Sequence, residues 1–227
     1  MTIERSDYDT IVDQAETEFL ETWQEGPKVT RWNSAPVQPG DSAPPFVLPD
    51  QTGTAVSLGK LVANGPLLLI FWRHFGCGCG FERAARLHAE LDDYRATDAS
   101  VVVIGQGLPE QAAAYAKDHK LELPILTDPD RAVYRAYGLL DASQPQVLFD
   151  APQWLWSYSE ETAKRFVEAR QEQGRRLVNS PWLLPGEFIV GEDGIIKHVH
   201  RYQHCEDFPD PRVLITAING SASEPSE

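Results

Sequence analysis

LLLIFWRHFGCGCGFERAARL, residues 67–87, changes character at its centre. The unbroken apolar run from Leu67 to Trp72 predicts a strand buried on both faces, as in the centre of a parallel sheet. After the glycines, apolar residues recur at helical spacing and predict a helix. Cys77 and Cys79 lie between the two, so two of the chain's three cysteines are expected where a strand feeds the amino end of a helix.

This position favours thiol chemistry. The amino end of a helix presents unpaired backbone N–H groups and the positive end of the helix dipole, which stabilise an anion. In such settings the pKa of a cysteine falls from about 8.5 towards roughly 3.5–7.5, and the thiolate is the reactive form. Arg73 and His74 would add positive charge nearby. The alternative interpretation is a pair of small, inert, buried cysteines.

Composition excludes several classes of function. The net charge of −14 argues against nucleic acid or an anionic membrane surface as a partner, since both are polyanions. No run approaches the roughly 20 apolar residues of a membrane span, and the amino end is acidic, unlike a signal peptide. We therefore expect a cytoplasmic protein. Three cysteines in 227 residues are too few for a secreted disulfide scaffold, so a close pair indicates catalysis or metal binding.

The chain begins with an acidic segment. We predict a helical arm over residues 1–35, whose first 28 residues carry eight acidic and two basic side chains. Apolar residues at helical spacing over residues 6–25 give this helix one apolar stripe. The stripe must be buried on something, and one alternative is a dimerisation arm. The main domain is expected over residues 36–220, followed by a disordered tail over 221–227.

Strands and helices alternate through the main domain. A second apolar run, Val101–Gly105, and a short one, Leu123–Leu126, predict strands, with helices over 109–120 and 130–137. This order predicts an α/β fold with a mostly parallel sheet and helices on both faces. Hairpins are predicted over residues 46–58 and 187–203.

Residues 142–182 depart from a minimal domain of this kind. A helix is predicted over about 159–175, framed by tryptophans, and we interpret the segment as an inserted helical element. One interpretation is that the segment only packs against the main domain. The other is that it forms a lid or dimer surface, because aromatic residues and arginine are enriched at interfaces. Its basic face comprises Lys164, Arg165, Arg170, Arg175 and Arg176.

Three segments carry a resemblance to a known family. They are PGDSAPPFVLPDQTGTAVSLGKLVANGPLLLIFW (39–72), FWRHFGCGCGFERAARL (71–87) and LPILTDPDRAVYRAYGL (123–139). Together they resemble the AhpC/TSA-type, peroxiredoxin-like redoxins of the thioredoxin-like superfamily. The resemblance implies a thioredoxin-like fold with a central mixed β-sheet and helices on both faces. Cys77 matches the first cysteine of the family's motif, whereas Cys79 falls one residue before the second.

The resemblance also implies a site. Leu184–Phe188 resembles the Pro-x-x-Phe of thioredoxin-like proteins, in which the proline is cis and lies beside the cysteine turn; sequence alone leaves the isomer open. We therefore assign Pro185, together with Trp72, Arg73 and His74, to substrate binding. In such a sheet the last strand returns towards the cysteine turn, which would bring Cys205 near Cys77.

The motif of true peroxiredoxins is incomplete here. Their proline and threonine, seven and three residues before the reactive cysteine, are replaced by Ile70 and His74. Their peroxide-binding arginine, near the start of the late hairpin strand, is absent, and Pro185 falls about there. Arg73 or His74 would have to substitute for it.

The favoured function is thiol-dependent reduction of hydroperoxides without a cofactor. The Cys77 thiolate would attack the peroxide, Cys79 or Cys205 would resolve the sulfenic acid, and an external thioredoxin- or glutathione-like thiol would reduce the disulfide. One alternative is exchange with protein disulfides, in which Cys77 attacks and Cys79 releases the partner. Another is a non-enzymatic metal-binding or redox-sensor protein, and a homodimer stays open. The metal alternative would use Cys77, Cys79, His198, His200, His204 and Cys205.

Overall fold

The computed structural model describes residues 5–28, 31–148, 153–174 and 179–220. A five-stranded sheet lies at its centre, in the order β5-β4-β3-β6-β7, and β1 and β2 form a separate antiparallel hairpin. The strands β3, β4 and β5 are parallel, whereas β6 and β7 are antiparallel to their neighbours, so the sheet is mixed. The strands are β1 Val47–Pro49, β2 Ala55–Ser57, β3 Leu67–Phe71, β4 Ser100–Gly105, β5 Ile125–Thr127, β6 Gly186–Val190 and β7 Ile196–Arg201.

Helices surround this sheet. The helix predicted over 109–120 begins at Pro109 and ends at His119, because Lys120 adopts a left-handed conformation with φ 52°. A short 3₁₀ helix, Gln153–Trp156, precedes the insertion helix. The α-helices are α1 Arg5–Glu25, α2 Leu58–Val62, α3 Gly78–Arg95, α4 Pro109–His119, α5 Ala132–Ala136, α6 Gln144–Leu148, α7 Glu160–Glu172 and α8 Pro211–Asn219.

The central strand β3 is buried on both faces, as its apolar run predicts. Leu68 and Ile70 pack on one side with α3, α4 and α8, while Leu69 and Phe71 pack on the other with the β1–β2 hairpin, α2 and α5. Burial of each such side chain contributes about 1.5–3 kcal/mol. The thioredoxin-like architecture, a mixed sheet with helices on both faces, is therefore confirmed.

A third core joins the amino-terminal helix to the inserted segment. Trp23 of α1 lies 5.1 Å from Trp182 and 5.2 Å from Phe166 of α7, between ring centroids. Its indole N–H donates to the Ser157 carbonyl at 2.9 Å. The apolar stripe of α1 is thus covered by this chain's own insertion, and it does not require a second subunit. Arg175 and Arg176 of the expected basic face, and the tail over 221–227, lie outside the described residues.

Helix α8 follows the last strand and was not predicted. Its start carries a helix signal, since Pro211 is the first helical residue and the Asp210 side chain accepts from the Arg212 N–H. Leu214 and Ile218 bury one face of the helix against the sheet. Within the described ranges, no helix is long and apolar enough to cross a membrane.

Candidate active site

Cys77 caps the amino end of α3. Its backbone is extended, with φ −73° and ψ 136°, and the helix begins at Gly78. Its N–H donates to the His74 carbonyl at 3.1 Å, and its own carbonyl accepts from the Phe81 N–H at 3.3 Å. The cysteine therefore lies where the unpaired amides and dipole of the helix favour a thiolate.

Cys77 and Cys79 form a disulfide bond. Their Cα atoms are 5.3 Å apart, within the usual window of about 4.4–6.8 Å. This distance is reached because Cys77 is extended whereas Cys79 is already helical. Both residues are buried, at 2% and 4% exposure, so only a small molecule can approach the sulfurs without a change of shape.

Arg73 brings a positive charge to Cys77. Its Nη1 donates to the Cys77 Sγ at 3.0 Å, and its Nη2 donates to the Pro181 carbonyl. Burial lowers the pKa of Arg73, but a guanidinium starts so far above neutrality that it stays charged. A charge-assisted hydrogen bond to sulfur stabilises the thiolate over the thiol.

Cys205 joins the same site from the turn after β7. The three cysteines form one buried cluster, with Phe208 packed against it. Burial raises the pKa of the Cys205 thiol, while the positive charges of Arg73 and Arg170 oppose that rise. A cavity of about 10 Å³ lies beside two of these cysteines; its lining includes Trp72, Arg73, Cys79, Arg83, Pro185, Tyr202, Cys205 and Phe208.

Pro185 lies in the wall of this cavity, but its peptide bond is trans. Sequence alone left the isomer open, and the structure shows that Pro185 differs here from the cis proline of the thioredoxin-like proteins it resembles. The backbone here stays extended into β6, and the Pro185 carbonyl accepts from the Tyr202 N–H at 3.3 Å. The pairing of β6 with β7 therefore continues through the proline and needs no kink.

Trp72 and His74 occupy different places around the thiols. Trp72 lines the cavity, and its indole N–H donates to Tyr115 Oη at 3.1 Å, while Tyr115 donates to the Gly80 carbonyl at 3.0 Å. A Cβ at Gly80 would lie 2.8 Å from the Trp72 indole nitrogen, which explains the glycine. His74 is fully buried beneath the turn and does not line the cavity.

Arg170 also contacts the site, which its position in the sequence does not indicate. This side chain projects from the insertion helix α7, and its Nη1 donates to the Gly76 carbonyl in the cysteine turn. Its guanidinium lies 4.0 Å from the ring centroid of Phe166. The sequence indicates only that Arg170 lies on a basic helix. The contact with Gly76 cannot be inferred from spacing, because the two residues are 94 positions apart.

A buried ionic network supports the start of α3. The Arg83 guanidinium donates to both Glu187 carboxylate oxygens, at 2.8 and 3.1 Å, and to Glu90 at 2.8 Å. Tyr202 donates to Glu187 at 2.7 Å. Burial alone would lower the pKa of Arg83, but the facing carboxylates raise it well above its ordinary value. The network joins α3, through Arg83, to Glu187 of β6 and to Tyr202, which follows β7.

The alternative of a metal site lacks the required geometry. Across the part of the chain that the structure describes, no three His, Cys, Asp or Glu side chains converge as metal ligands. Cys77 and Cys79 are bonded to each other, and His200 on β7 has its Nε2 2.7 Å from the Asp207 carbonyl. His198 is half-buried on the same strand.

The sequence matches the AhpC/TSA family over residues 39–199. A relative from Mycobacterium tuberculosis, provisionally named a peroxiredoxin, is 33% identical over 106 residues, which span 47% of this chain and 67% of the relative. Peroxiredoxin Bcp of Escherichia coli is 29% identical over 104 residues, which span 46% of this chain and 66% of that protein.

Solved structures show the same fold. Peroxidoxin BcpB from Mycobacterium tuberculosis superposes with a TM-score of 0.59 at 18% identity and covers 83% of this chain and 99% of its own. A thiol peroxidase from Chromobacterium violaceum reaches a TM-score of 0.55 at 16% identity, over 86% of this chain and 91% of its own. The family match, the fold and the close pair of buried cysteines lead to one conclusion: the chain belongs to the AhpC/TSA family and is a peroxiredoxin-like, thiol-dependent oxidoreductase of the thioredoxin-like superfamily.

Proposed function

We propose that this protein reduces hydroperoxides, with Cys77 as the nucleophile. The observation that carries the proposal is the 3.0 Å hydrogen bond from Arg73 Nη1 to the Cys77 Sγ at the amino end of α3. A thiolate at this point is stabilised by a fixed cation and by the helix dipole. The peroxide-binding arginine that the family places on the late hairpin strand is replaced, in this proposal, by Arg73.

The first chemical step forms a sulfenic acid. The Cys77 thiolate attacks one oxygen of the hydroperoxide, the O–O bond breaks, and the other oxygen leaves with a proton as an alcohol or water. Arg73 faces the sulfur and is placed to stabilise the negative charge that passes to the oxygens. Trp72 and Pro185 line the small cavity beside Arg73 and Cys79.

The second step forms the disulfide. The thiol of Cys79 attacks the Cys77 sulfur, the S–O bond breaks, and water leaves. The bonded pair, with Cα atoms 5.3 Å apart, supports Cys79 as the resolving residue. An external dithiol or two monothiols of the thioredoxin or glutathione kind then return the pair to thiols, which fits a reducing compartment such as the cytoplasm.

Exchange with protein disulfides is the weaker alternative. A protein substrate would have to bring its own sulfur to Cys77, which is 2% exposed, whereas a hydroperoxide is a few atoms long. Arg170 and Pro181, both from the inserted segment or its end, lie close around the turn and narrow the approach further. Burial therefore favours a small oxidant while the turn is closed, and a protein reductant such as thioredoxin reaches the disulfide only when the turn opens.

The test is a hydroperoxide consumption assay with thioredoxin or dithiothreitol as reductant. We expect wild type to consume hydrogen peroxide and an organic hydroperoxide catalytically, and the Cys77→Ser variant to lose this activity. The control is Asp92→Asn, at an exposed position on the same helix. Catalytic peroxide consumption that survives in Cys77→Ser would overturn the proposal, as would catalysis of protein disulfide reduction alone.

A further inference from the structure

Cys205 is a free thiol in the same buried cluster as the Cys77–Cys79 disulfide. It is the one unbonded cysteine of the buried cluster, at 8% exposure, and it lines the same small cavity as Cys79. A cavity of about 10 Å³ has room for at most one water, so it cannot hold a substrate between the two residues. The placement calls for sulfur chemistry rather than ligand binding.

We propose that Cys205 accepts the disulfide from the Cys77–Cys79 pair by intramolecular exchange, which frees Cys77 before any external reductant arrives. This inference rests on the proposed function, because the starting disulfide is the product of peroxide reduction. It assigns to Cys205 a step after resolution, distinct from a direct attack on the sulfenic acid.

The exchange balances without another reactant. Cys205 loses its proton to solvent, and its thiolate attacks the Sγ of Cys79. The Cys77–Cys79 bond breaks as the Cys79–Cys205 bond forms, and Cys77 leaves as a thiolate. One disulfide replaces another, so no electron is gained or lost.

The charges select which sulfur leaves. The thiol of lower pKa is the better leaving group, and the Arg73 guanidinium donates to Cys77 rather than to Cys79. Attack on Cys79 therefore expels the stabilised thiolate. The lining of the cavity agrees, since it includes Cys79 and Cys205 but not Cys77.

The rate of this exchange should depend on pH. Burial raises the pKa of Cys205, so little thiolate exists near neutrality, and the rate should climb about tenfold per pH unit until the pKa is passed. The groups that face Cys205 are Arg73 and Arg170, which favour the thiolate, and Glu206, which opposes it. Arg83 and Tyr202 line the cavity, but both are bound to Glu187.

Tryptic mapping separates the possible disulfides. Trypsin cuts after Arg73, Arg83, Arg201 and Arg212, which places Cys77 and Cys79 on peptide 74–83 and Cys205 on peptide 202–212. The reduced protein receives one equivalent of hydrogen peroxide, is left without reductant at several pH values, and is quenched with N-ethylmaleimide at successive times. We expect an early product in which peptide 74–83 has lost two hydrogens, as the Cys77–Cys79 disulfide requires. This product should then convert to one in which a Cys79–Cys205 disulfide joins peptides 74–83 and 202–212 and the maleimide is on Cys77.

Each outcome decides a separate claim. If peptide 74–83 loses two hydrogens while Cys205 stays fully alkylated at every pH, the exchange is refuted and the proposed function stands. A joined product with the maleimide on Cys79, or one that precedes the internal disulfide, also refutes the exchange, because Cys205 would then resolve Cys77 directly. If neither product forms and Cys77 stays reduced, the proposed function is refuted, and the exchange is refuted with it. The Cys205→Ser variant must show no joined peptides.

Discussion

At the scale of single residues, Arg73 is the side chain that, in our proposal, distinguishes Cys77 from a buried, inert cysteine. Burial by itself would keep the thiol protonated, since a charged form loses its hydration. The guanidinium, held between Cys77 and the Pro181 carbonyl, replaces that hydration with a fixed donor. A hydrogen bond to a charged group is worth about 1.5–3 kcal/mol, so this contact favours the thiolate over the thiol.

We expect Arg73→Gln to destabilise the Cys77 thiolate and to slow peroxide reduction by about 10- to 100-fold, given the value of one charged hydrogen bond. The sign follows from charge: loss of a cation destabilises the thiolate, so the midpoint of reactivity moves to higher pH. The measurement is the pH profile of Cys77 alkylation, in a background with Cys79→Ser and Cys205→Ser.

Arg95→Gln, at an exposed position near the end of α3, is the matched control, and Arg73→Lys should fall between wild type and Arg73→Gln. Lysine keeps the charge but lacks the planar fork that reaches sulfur and carbonyl together. An unchanged midpoint in Arg73→Gln would remove Arg73 from the mechanism.

At the scale of elements, the insertion helix α7 holds the cysteine turn from outside. Arg170 donates to the Gly76 carbonyl, and Gln106 donates to the carbonyls of Arg73 and Ser180, so the residues just before Cys77 are fixed from both sides. The helix is held in turn by the packing of Phe166 on Phe19 and Trp23. The inserted segment thus encloses the thiols, which favours its interpretation as a cover over the site.

Arg170→Gln should open the turn. The buried Gly76 carbonyl would lose its donor, which costs about 1–3 kcal/mol, and the population of turns open to solvent should rise accordingly. We expect a water-soluble phosphine to reduce the Cys77–Cys79 disulfide about 5- to 100-fold faster than in wild type.

Lys164→Gln, which changes an exposed charge on the same helix, provides the comparison. The midpoint of urea unfolding, measured beside the reduction rate, shows whether the protein as a whole has weakened. Equal reduction rates in wild type and Arg170→Gln would mean that α7 does not guard the site.

At the scale of the whole molecule, the parts predicted from sequence are those with a local pattern. The buried strand β3, the helix after the cysteines and the place of Cys77 at the helix amino end follow from apolar runs and glycines that act within a few residues. The resemblance added the mixed sheet and the return of the last strand, which brings Cys205 to the thiols.

The remaining features depend on contacts that no local pattern reports. Arg170 reaches Gly76 across 94 residues, and Arg83 pairs with Glu187 across 104. The isomer at Pro185, which the sequence left open, is trans, and the Pro185 carbonyl accepts a hydrogen bond from the Tyr202 N–H. Helix α8 is an exception, because Asp210 followed by Pro211 is a helix-start signal that the sequence alone contains.

The measurement that tests the account most directly is mass analysis of the first oxidation product. In a variant with Cys79→Ser and Cys205→Ser, the sulfenic acid has no partner, so a sulfenic acid reagent should trap it. We expect one equivalent of hydrogen peroxide to place this adduct on Cys77 within peptide 74–83, faster than on free cysteine at the same pH. No adduct at Cys77, or one formed no faster than on free cysteine, would contradict the assignment of Cys77 as an activated nucleophile.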